Sequence, residues 1–372
     1  MNPLRSDSKP SPESQQAIPP SASFGGGRGL AKRDTSLELY RVSMIIGVCF
    51  LHSITFAKFV LAPAYNSVCM FCVVGFALIS GWFGVRPSID KFLRLYGVGL
   101  WCAALSVLLR VFADGEALKQ CFFLEVRDQI WRFWFLHAYI AIMLAAPVLN
   151  AAFDNIKTGW RIAIPMVSIV FAWGWASGLW PEILPSVPGL AKGGYSGIVL
   201  SAVYVVGRVM RQFDFQGKRL DVRVSLSVFT LCAAMVCWLP DIIGKSPRAF
   251  AAYNSPVVLV MAVASFYIFR QIPVNRLIAK CLDFMRPSVF AIYLLQTNTY
   301  AIPKIRAFAT SLDNYCPRIF TYLLTASAVF AICLLSDLFR RSAVCISCRI
   351  FALIKTSPSS HVANIARRKN HE

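Results

Sequence analysis

The chain has 372 residues, of which 57% are hydrophobic and only 15% charged, and its mean hydropathy is +0.58. A soluble protein of this length could not cover its surface with so few charged side chains, so the composition predicts a polytopic membrane protein. The formal net charge of +20 accompanies no nucleic-acid-binding module, which excludes that class of partner and indicates contact with the anionic lipid bilayer.

Residues 1–35 differ in composition from the rest of the chain. They contain Pro19-Pro20, three glycines from Gly25 to Gly27 and many serines. Such a segment cannot bury a hydrophobic core, so residues 1–35 are predicted to form a disordered cytoplasmic tail. No apolar stretch precedes Leu39, and a signal peptide is therefore not predicted.

Apolar segments of helical length follow one another from Leu39 onward. A helix needs about 20 residues to cross the hydrocarbon core of a bilayer. Ten segments meet this requirement approximately, at residues 39–57, 66–84, 92–112, 131–150, 161–179, 194–213, 224–243, 254–270, 288–304 and 317–339. The predicted fold class is an all-α, polytopic membrane bundle of about ten transmembrane helices.

Basic residues concentrate in alternate loops between these segments. Short cytoplasmic loops retain Lys and Arg, so this asymmetry predicts that both termini lie in the cytoplasm. The segments predicted to be cytoplasmic contain Arg86, Lys91, Arg94, Arg211, Lys218, Arg219, Arg223, Arg270, Arg276, Lys280, Arg286, Arg340 and Arg341. The loops on the opposite side contain Asp114, Glu116, Glu125, Asp128, Glu182 and Asp241.

Residues 36–340 are predicted to form one transmembrane domain without a recognisable internal repeat. After it, residues 341–372 combine a short apolar piece with Arg367-Arg368-Lys369. This end of the chain is predicted to be a basic tail on the cytoplasmic membrane surface.

The first segment contains two ionisable residues, Arg41 and His52, separated by ten uncharged residues. Eleven residues amount to about three helical turns, so both side chains share one helix face about 16 Å apart and cannot touch. A histidine within a membrane span usually faces a cavity or a partner, although a structural histidine is an alternative for His52. For Arg41 the alternative to a functional role is that of an interfacial residue, whose charge reaches the aqueous boundary of the membrane.

No metal site is predicted from the cysteines and histidines. Most of the 12 cysteines lie inside apolar segments, where they act as small hydrophobic residues. The pairs Cys69/Cys72 and Cys345/Cys348 have CxxC spacing, but four histidines in the whole chain supply no second half for a zinc site.

Six segments resemble, in order, the membrane-bound acyltransferase 3 family, whose members O-acetylate sugars of bacterial envelopes and exopolysaccharides. The Arg-ten residues-His arrangement is similar to that family's first-span signature. Further similarities, over residues 36–340, lie in ALISGWFG, KFLRLYG, WRFWFLHAYIAIMLAAPVLN, GGYSGIVLSAVYVVGR and YNSPVVLVMAVASF. Within these, Ser80 and Gly81 are predicted to permit close helix contact.

One position departs from the family pattern. In AIYLLQTN, Gln296 stands where the family often has histidine. If that histidine is an acid or base, this chain lacks it; if it only hydrogen-bonds the substrate, glutamine can replace it. His137 lies outside the usual pattern, and we expect it to be a core histidine bonded to a neighbouring helix.

The resemblance implies acetyl-CoA as acyl donor and assigns roles to named residues. His52 is the candidate general base for the sugar hydroxyl, and Arg41 the candidate contact for the donor's phosphates or pantetheine. Arg86, Lys91 and Arg94 are candidate CoA-binding residues, with a solvated basic loop as the alternative. Gln296, Trp175 and Trp180 are candidate acceptor contacts, with an interfacial aromatic belt, shared with Trp173, as the alternative for the tryptophans.

The expected function is O-acetyl transfer to a lipid-linked or growing surface polysaccharide in the bacterial inner membrane, with polysaccharide-assembly enzymes as partners. Two alternatives stay open on the sequence: a polysaccharide or lipid transporter, and a non-catalytic membrane subunit. Two features argue against a transporter: the chain has no recognisable repeated halves, and it has no acidic residues at the centres of the predicted spans.

The loop charges predict the outcome of reporter fusions. Fusions after Ser88, Gln216 and Ala279 are expected to report a cytoplasmic location, because the adjoining loops are basic. Fusions after Glu116, Pro188 and Pro247 are expected to report the external side. Paired alkaline phosphatase and green fluorescent protein activities measure both, and an exchanged pattern would contradict the orientation.

Overall fold

A computed structural model of the chain describes residues 34–54, 62–176, 197–215, 220–244, 250–298, 300–315 and 317–355. The predicted N-terminal tail, up to residue 33, and residues 356–372 of the predicted C-terminal tail lie outside this range. Within it the secondary structure consists of helices and turns, so the all-α fold class is confirmed for the described residues.

The helices follow the predicted apolar segments, with additional helices between them. In chain order they are α1 Thr35–Ile54, α2 Ala62–Cys69, α3 Phe71–Phe83, α4 Ile89–Asp114, α5 Leu118–Arg132, α6 Trp134–Asn155, α7 Thr158–Ala176, α8 Gly197–Phe215, α9 Val222–Ile242, α10 Pro256–Arg270, α11 Arg276–Met285, α12 Val289–Gln296, α13 Ala301–Asp313 and α14 Arg318–Lys355, with a 3₁₀ turn at Arg286–Ser288 before α12.

In this part of the chain, five stretches are long and apolar enough to cross a membrane, so the predicted count of ten is not confirmed. They are Asn66–Phe83, Ile89–Asp114, Trp134–Asn155, Val222–Ile242 and Arg318–Arg349. The predicted segments 39–57, 161–179 and 194–213 extend beyond the described residues. Three helices also miss this requirement for physical reasons. α10 and α12 are short, with 15 and 8 residues, and α8 contains three charged residues, Arg208, Arg211 and Asp214.

The predicted ninth span, residues 288–304, is two helices rather than one. α12 ends at Gln296 and α13 begins at Ala301. The Asn298 side-chain oxygen accepts hydrogen bonds from the backbone N–H groups of Tyr300 and Ala301, at 2.9 and 3.2 Å. A side chain that satisfies these first N–H groups starts a new helix, which explains the break.

α1 is surrounded by other helices, and it contacts α2, α3, α10, α11, α12 and α14. Tyr40 fixes one of these contacts, because its hydroxyl lies 3.1 Å from both the Ala262 carbonyl oxygen and the Ser265 hydroxyl of α10. Its ring also packs edge-on against Phe266, with 5.6 Å between ring centroids. The helix that carries Arg41 and His52 is therefore held inside the bundle.

α3 and α8 approach each other closely through glycine. A Cβ atom on Gly81 would overlap the backbone carbonyl of Tyr204, and one on Gly207 would overlap the carbonyl oxygen of Leu78. The prediction that Gly81 permits close helix contact is thus confirmed. Small residues at such positions let two backbones pack directly, which gains van der Waals contact within a membrane.

Replacing Gly81 by alanine is expected to destabilise the bundle. The added methyl group meets backbone that cannot rotate away, and overpacking of this kind costs about 1–3 kcal/mol. Gly97→Ala is the matched control, because a Cβ atom at Gly97 meets nothing within 4 Å. Thermal unfolding of both variants in detergent measures the difference, and equal melting temperatures would contradict the close contact.

Candidate functional site

Arg41 and His52 lie on one continuous helix, near opposite ends of α1. Because α1 is unbroken between them, their spacing is the helical one, about 16 Å along the axis. The two side chains therefore belong to different surroundings, and each is described from its own neighbours.

Arg41 lies at the end of the bundle where α3 finishes. Its Nη1 donates to both carboxylate oxygens of Glu38, at 2.9 and 3.1 Å, and its guanidinium carbon lies 5.9 Å from the centroid of the Phe83 ring. The Arg41 side chain keeps 26% of its surface exposed. It is thus a paired but accessible cation.

Further arginines surround the same end of α3. Arg211 donates to the carbonyl oxygens of Trp82 and Phe83, at 3.1 and 3.2 Å, and the Arg270 guanidinium lies 4.5 Å from the Trp82 ring centroid. The Arg208 side chain lies beside Gly84, and both Arg86 and Arg208 are close enough to Arg211 to interact electrostatically. We call these five residues, Arg41, Arg86, Arg208, Arg211 and Arg270, the arginine cluster.

Three carboxylates pair with members of the arginine cluster. Besides Glu38 with Arg41, Asp214 lies 2.8 Å from Arg270 and Asp154 lies 3.6 Å from Arg208. The arginine cluster contains five cations, and among the described residues three carboxylates pair with three of them. This surface is therefore suited to a polyanion such as a phosphate ester.

The predicted donor residues Arg86, Lys91 and Arg94 are only partly brought together. Arg86 joins the arginine cluster, and Lys91 donates to the Arg86 carbonyl oxygen at 2.6 Å. Arg94 is an exposed residue of α4. Sequence reasoning missed Arg208 as a site residue and used Arg211 and Arg270 only for orientation, although Arg208 ends the GGYSGIVLSAVYVVGR segment.

Hydrogen bonds of Tyr204 hold the loop between α3 and α4 beside this cluster. The Tyr204 hydroxyl donates to the Asn150 side-chain oxygen at 2.9 Å and accepts from the backbone N–H of Val85 at 3.0 Å. Three elements, α6, α8 and the loop, are therefore tied to one hydroxyl. This network positions Arg86, the next residue along the loop.

His52 lies next to Gln296 of α12, close enough for the two side chains to interact. The ring atom Nδ1 of His52 and both amide atoms of Gln296 are buried, and none of them has a hydrogen-bond partner among the described residues. Gln296 is only 2% exposed. Buried polar atoms are almost always paired in proteins, so three unpaired atoms in one place indicate a site for a polar ligand or water.

Asn298 fixes the end of α12 on which Gln296 lies. Its amide nitrogen donates to the Cys102 carbonyl oxygen at 3.1 Å and contacts the Ser106 hydroxyl of α4. Together with its bonds to the start of α13, these contacts satisfy the buried Asn298 side chain. Gln296, two residues earlier, is thereby held in place beside His52.

The other predicted contacts have different outcomes. His137 is exposed on α6, so the prediction of a core histidine bonded to a neighbouring helix is wrong. Trp173 packs against Phe250, with 5.8 Å between ring centroids. The side chain of Trp175 and the whole of Trp180 lie outside the described residues, so their predicted acceptor contacts stay predictions.

No group of three or more metal-ligating side chains occurs among the residues that the structure describes. The site instead consists of a general-base candidate, an amide and a set of guanidinium groups. These groups suit proton transfer at one place and anion binding at another, about 16 Å away along α1.

A family profile described as an acyltransferase domain, that of acyltransferase 3, matches residues 34–338. The chain belongs to the acyltransferase 3 family. Searches of curated proteins and of solved structures found no match. Family membership supports a membrane acyltransferase and favours an enzyme over the transporter and the non-catalytic subunit.

Proposed function

We propose that this acyltransferase moves an acetyl group from acetyl-CoA to a sugar hydroxyl of a lipid-linked or growing surface polysaccharide, in the bacterial inner membrane with both termini cytoplasmic. One observation carries the proposal: the unbroken helix α1 joins the arginine cluster to His52, which lies next to the buried Gln296. An extended donor with charged phosphates at one end and a thioester at the other matches this arrangement.

The arginine cluster would hold the phosphates of the donor. Guanidinium groups bind phosphate through paired, charge-assisted hydrogen bonds. From there the pantetheine arm would run along α1 and bring the thioester to His52, across about 16 Å. In this arrangement Arg41 binds the donor and takes no part in the proton transfer.

His52 would act as general base on the acceptor. Its imidazole accepts the hydroxyl proton as the hydroxyl oxygen attacks the thioester carbonyl carbon. Collapse of the tetrahedral adduct breaks the C–S bond, which gives the acetate ester and a CoA thiolate. The imidazolium then returns its proton to the thiolate sulfur, and His52 is neutral again.

Gln296 would bind rather than exchange protons, because a carboxamide has no pKa near neutrality. Its amide offers both a donor and an acceptor beside His52. A sugar hydroxyl can use both at once, so glutamine preserves substrate binding where many family members have histidine. The single imidazole at this place then carries the proton transfer alone.

Removing the base should stop transfer without removing the protein from the membrane. His52→Ala is expected to lower the rate about 10²- to 10⁴-fold, the usual contribution of general-base assistance. His137→Ala is the matched control, because His137 is an exposed residue of α6 and should leave the rate within about twofold of normal. Acetyl transfer from radiolabelled acetyl-CoA measures both, and a near-normal rate for His52→Ala would contradict its role.

The division of roles along α1 can be tested by donor affinity. Arg41→Ala is expected to weaken acetyl-CoA binding about ten- to a hundredfold, since a hydrogen bond to a charged group contributes about 1.5–3 kcal/mol. Arg41→Lys should restore part of the affinity, because a point charge still attracts phosphate. His52→Ala should bind the donor almost normally. Calorimetry on purified variants measures these affinities.

Two further variants sharpen the donor experiment. Glu38→Gln removes the carboxylate that pairs with Arg41 and should strengthen acetyl-CoA binding or leave it unchanged. Arg223→Ala removes an exposed arginine at the start of α9 and should leave it unchanged. Equal loss of donor affinity in Arg41→Ala and His52→Ala would instead indicate that both residues only support the structure.

A further inference from the structure

α14 has a buried stripe of residues at intervals of four. Thr321, Thr325, Val329, Cys333 and Asp337 are each at most 6% exposed. Residues four apart differ in direction by about 40° around a helix, so these five form a stripe that winds along the interior of the bundle. α14 contacts both α1 and α12, the helices that carry His52 and Gln296. The first two residues of this stripe are threonines.

Two contacts place part of α14 beside Cys49 and Phe50, which lie within one helical turn of His52. The Phe50 ring, near the end of α1, lies 5.2 Å from the Tyr322 ring, near the start of α14. Cys49 is close enough to Cys333 to interact electrostatically. Because Cys49 and Phe50 are neighbours, the segment of α14 between Tyr322 and Cys333 passes this end of α1. Thr325 lies in that segment, and Thr321 is one turn earlier in α14.

The hydroxyl groups of Thr321 and Thr325 are buried and have no hydrogen-bond partner among the described residues. Hydroxyls in helices usually bond to the carbonyl of the preceding turn. Ser53 does so with Cys49 at 2.8 Å, and Thr310 with Arg306 at 2.9 Å. The two threonines of the stripe do not, so their hydrogen-bonding capacity remains available.

Five buried polar atoms without a hydrogen-bond partner among the described residues thus belong to three helices that contact one another: Nδ1 of His52 on α1, both amide atoms of Gln296 on α12 and the two threonine hydroxyls on α14. Leaving such atoms buried and unpaired costs free energy, which a bound polar molecule would recover. The threonine and glutamine atoms include donors and acceptors but no formal charge. Their chemistry fits a neutral molecule with several hydroxyl groups better than an anion.

We propose that Thr321 and Thr325 bind the acceptor sugar, through hydroxyl groups next to the one that is acetylated. The inference rests on the proposed function and specifies its acceptor as a neutral polyol. Gln296 and the two threonines hold the sugar ring against α12 and α14, and the hydroxyl that remains faces His52. The threonine pair selects which hydroxyl reaches the base, because it binds that hydroxyl's neighbours.

The experiment compares threonine with valine, which has the same shape but no hydroxyl. Initial rates are measured for wild type, Thr321→Val, Thr325→Val and the double variant, with neutral oligosaccharides of glucose, galactose and mannose as acceptors. Each valine is expected to raise the acceptor KM about two- to tenfold, the value of one hydrogen bond. The acetyl-CoA KM should not change. Thr325→Ser, which keeps the hydroxyl, should stay close to wild type.

Thr310→Val is the matched control, since the Thr310 hydroxyl bonds to its own helix and lies on an exposed residue. It should leave both KM values unchanged. An active enzyme whose acceptor KM is unaffected by both stripe variants would overturn the inference. Equal changes in donor and acceptor KM, with a lowered melting temperature, would also overturn it, because they indicate a structural role.

Binding separates this inference from the proposed function. Calorimetry measures the affinity of the same oligosaccharides without acetyl-CoA. Wild type that binds a saccharide through the threonines but transfers no acetyl group would refute the proposed transfer and keep the binding site. If wild type transfers acetyl groups and all variants bind the saccharides equally well, the proposed transfer stands and the threonine binding site is refuted. Wild type that binds none of the oligosaccharides would overturn the inference.

Discussion

The rigidity of α1 is the constraint on which the site depends. Its hydrogen-bonded backbone keeps Arg41 and His52 about 16 Å apart whatever the side chains do. No rotation of either residue can bring the two together, so charge recognition and proton transfer must meet through the bound molecule. Contacts with several helices, among them the Tyr40 hydroxyl bonds to α10, hold α1 in position and keep that separation fixed.

The interior of the bundle contains two kinds of polar group. Asn298 and Tyr204 use their side chains fully to join separate elements, and such satisfied groups specify one packing arrangement. Gln296 and the two threonines of α14 are equally buried but lack partners in the part of the chain described. A low-dielectric interior makes every unsatisfied group expensive, and a polar ligand bound at Gln296 and the threonines would remove that cost.

The sequence was sufficient for the helical class and for the close glycine contact at Gly81. The family resemblance singled out Arg41 and His52, and their roles stay predictions. The sequence could not predict the arginine cluster, because Arg211 reaches Trp82 from 129 residues away. The sequence also did not predict that His137 is exposed. In a membrane bundle both the interior and the lipid-facing side of a helix such as α6 are apolar, so hydropathy does not reveal which side is buried.

The direct backbone contact between α3 and α8 has a consequence for access. At Gly81 and Gly207 the two helices approach so closely that no side chain separates them. A molecule as wide as a pantetheine chain cannot pass between α3 and α8 at this level unless the two helices separate. A substrate that enters from the side of the bundle must therefore pass between other helices. If the bundle opens to admit it, α3 and α8 stay together and other helices move.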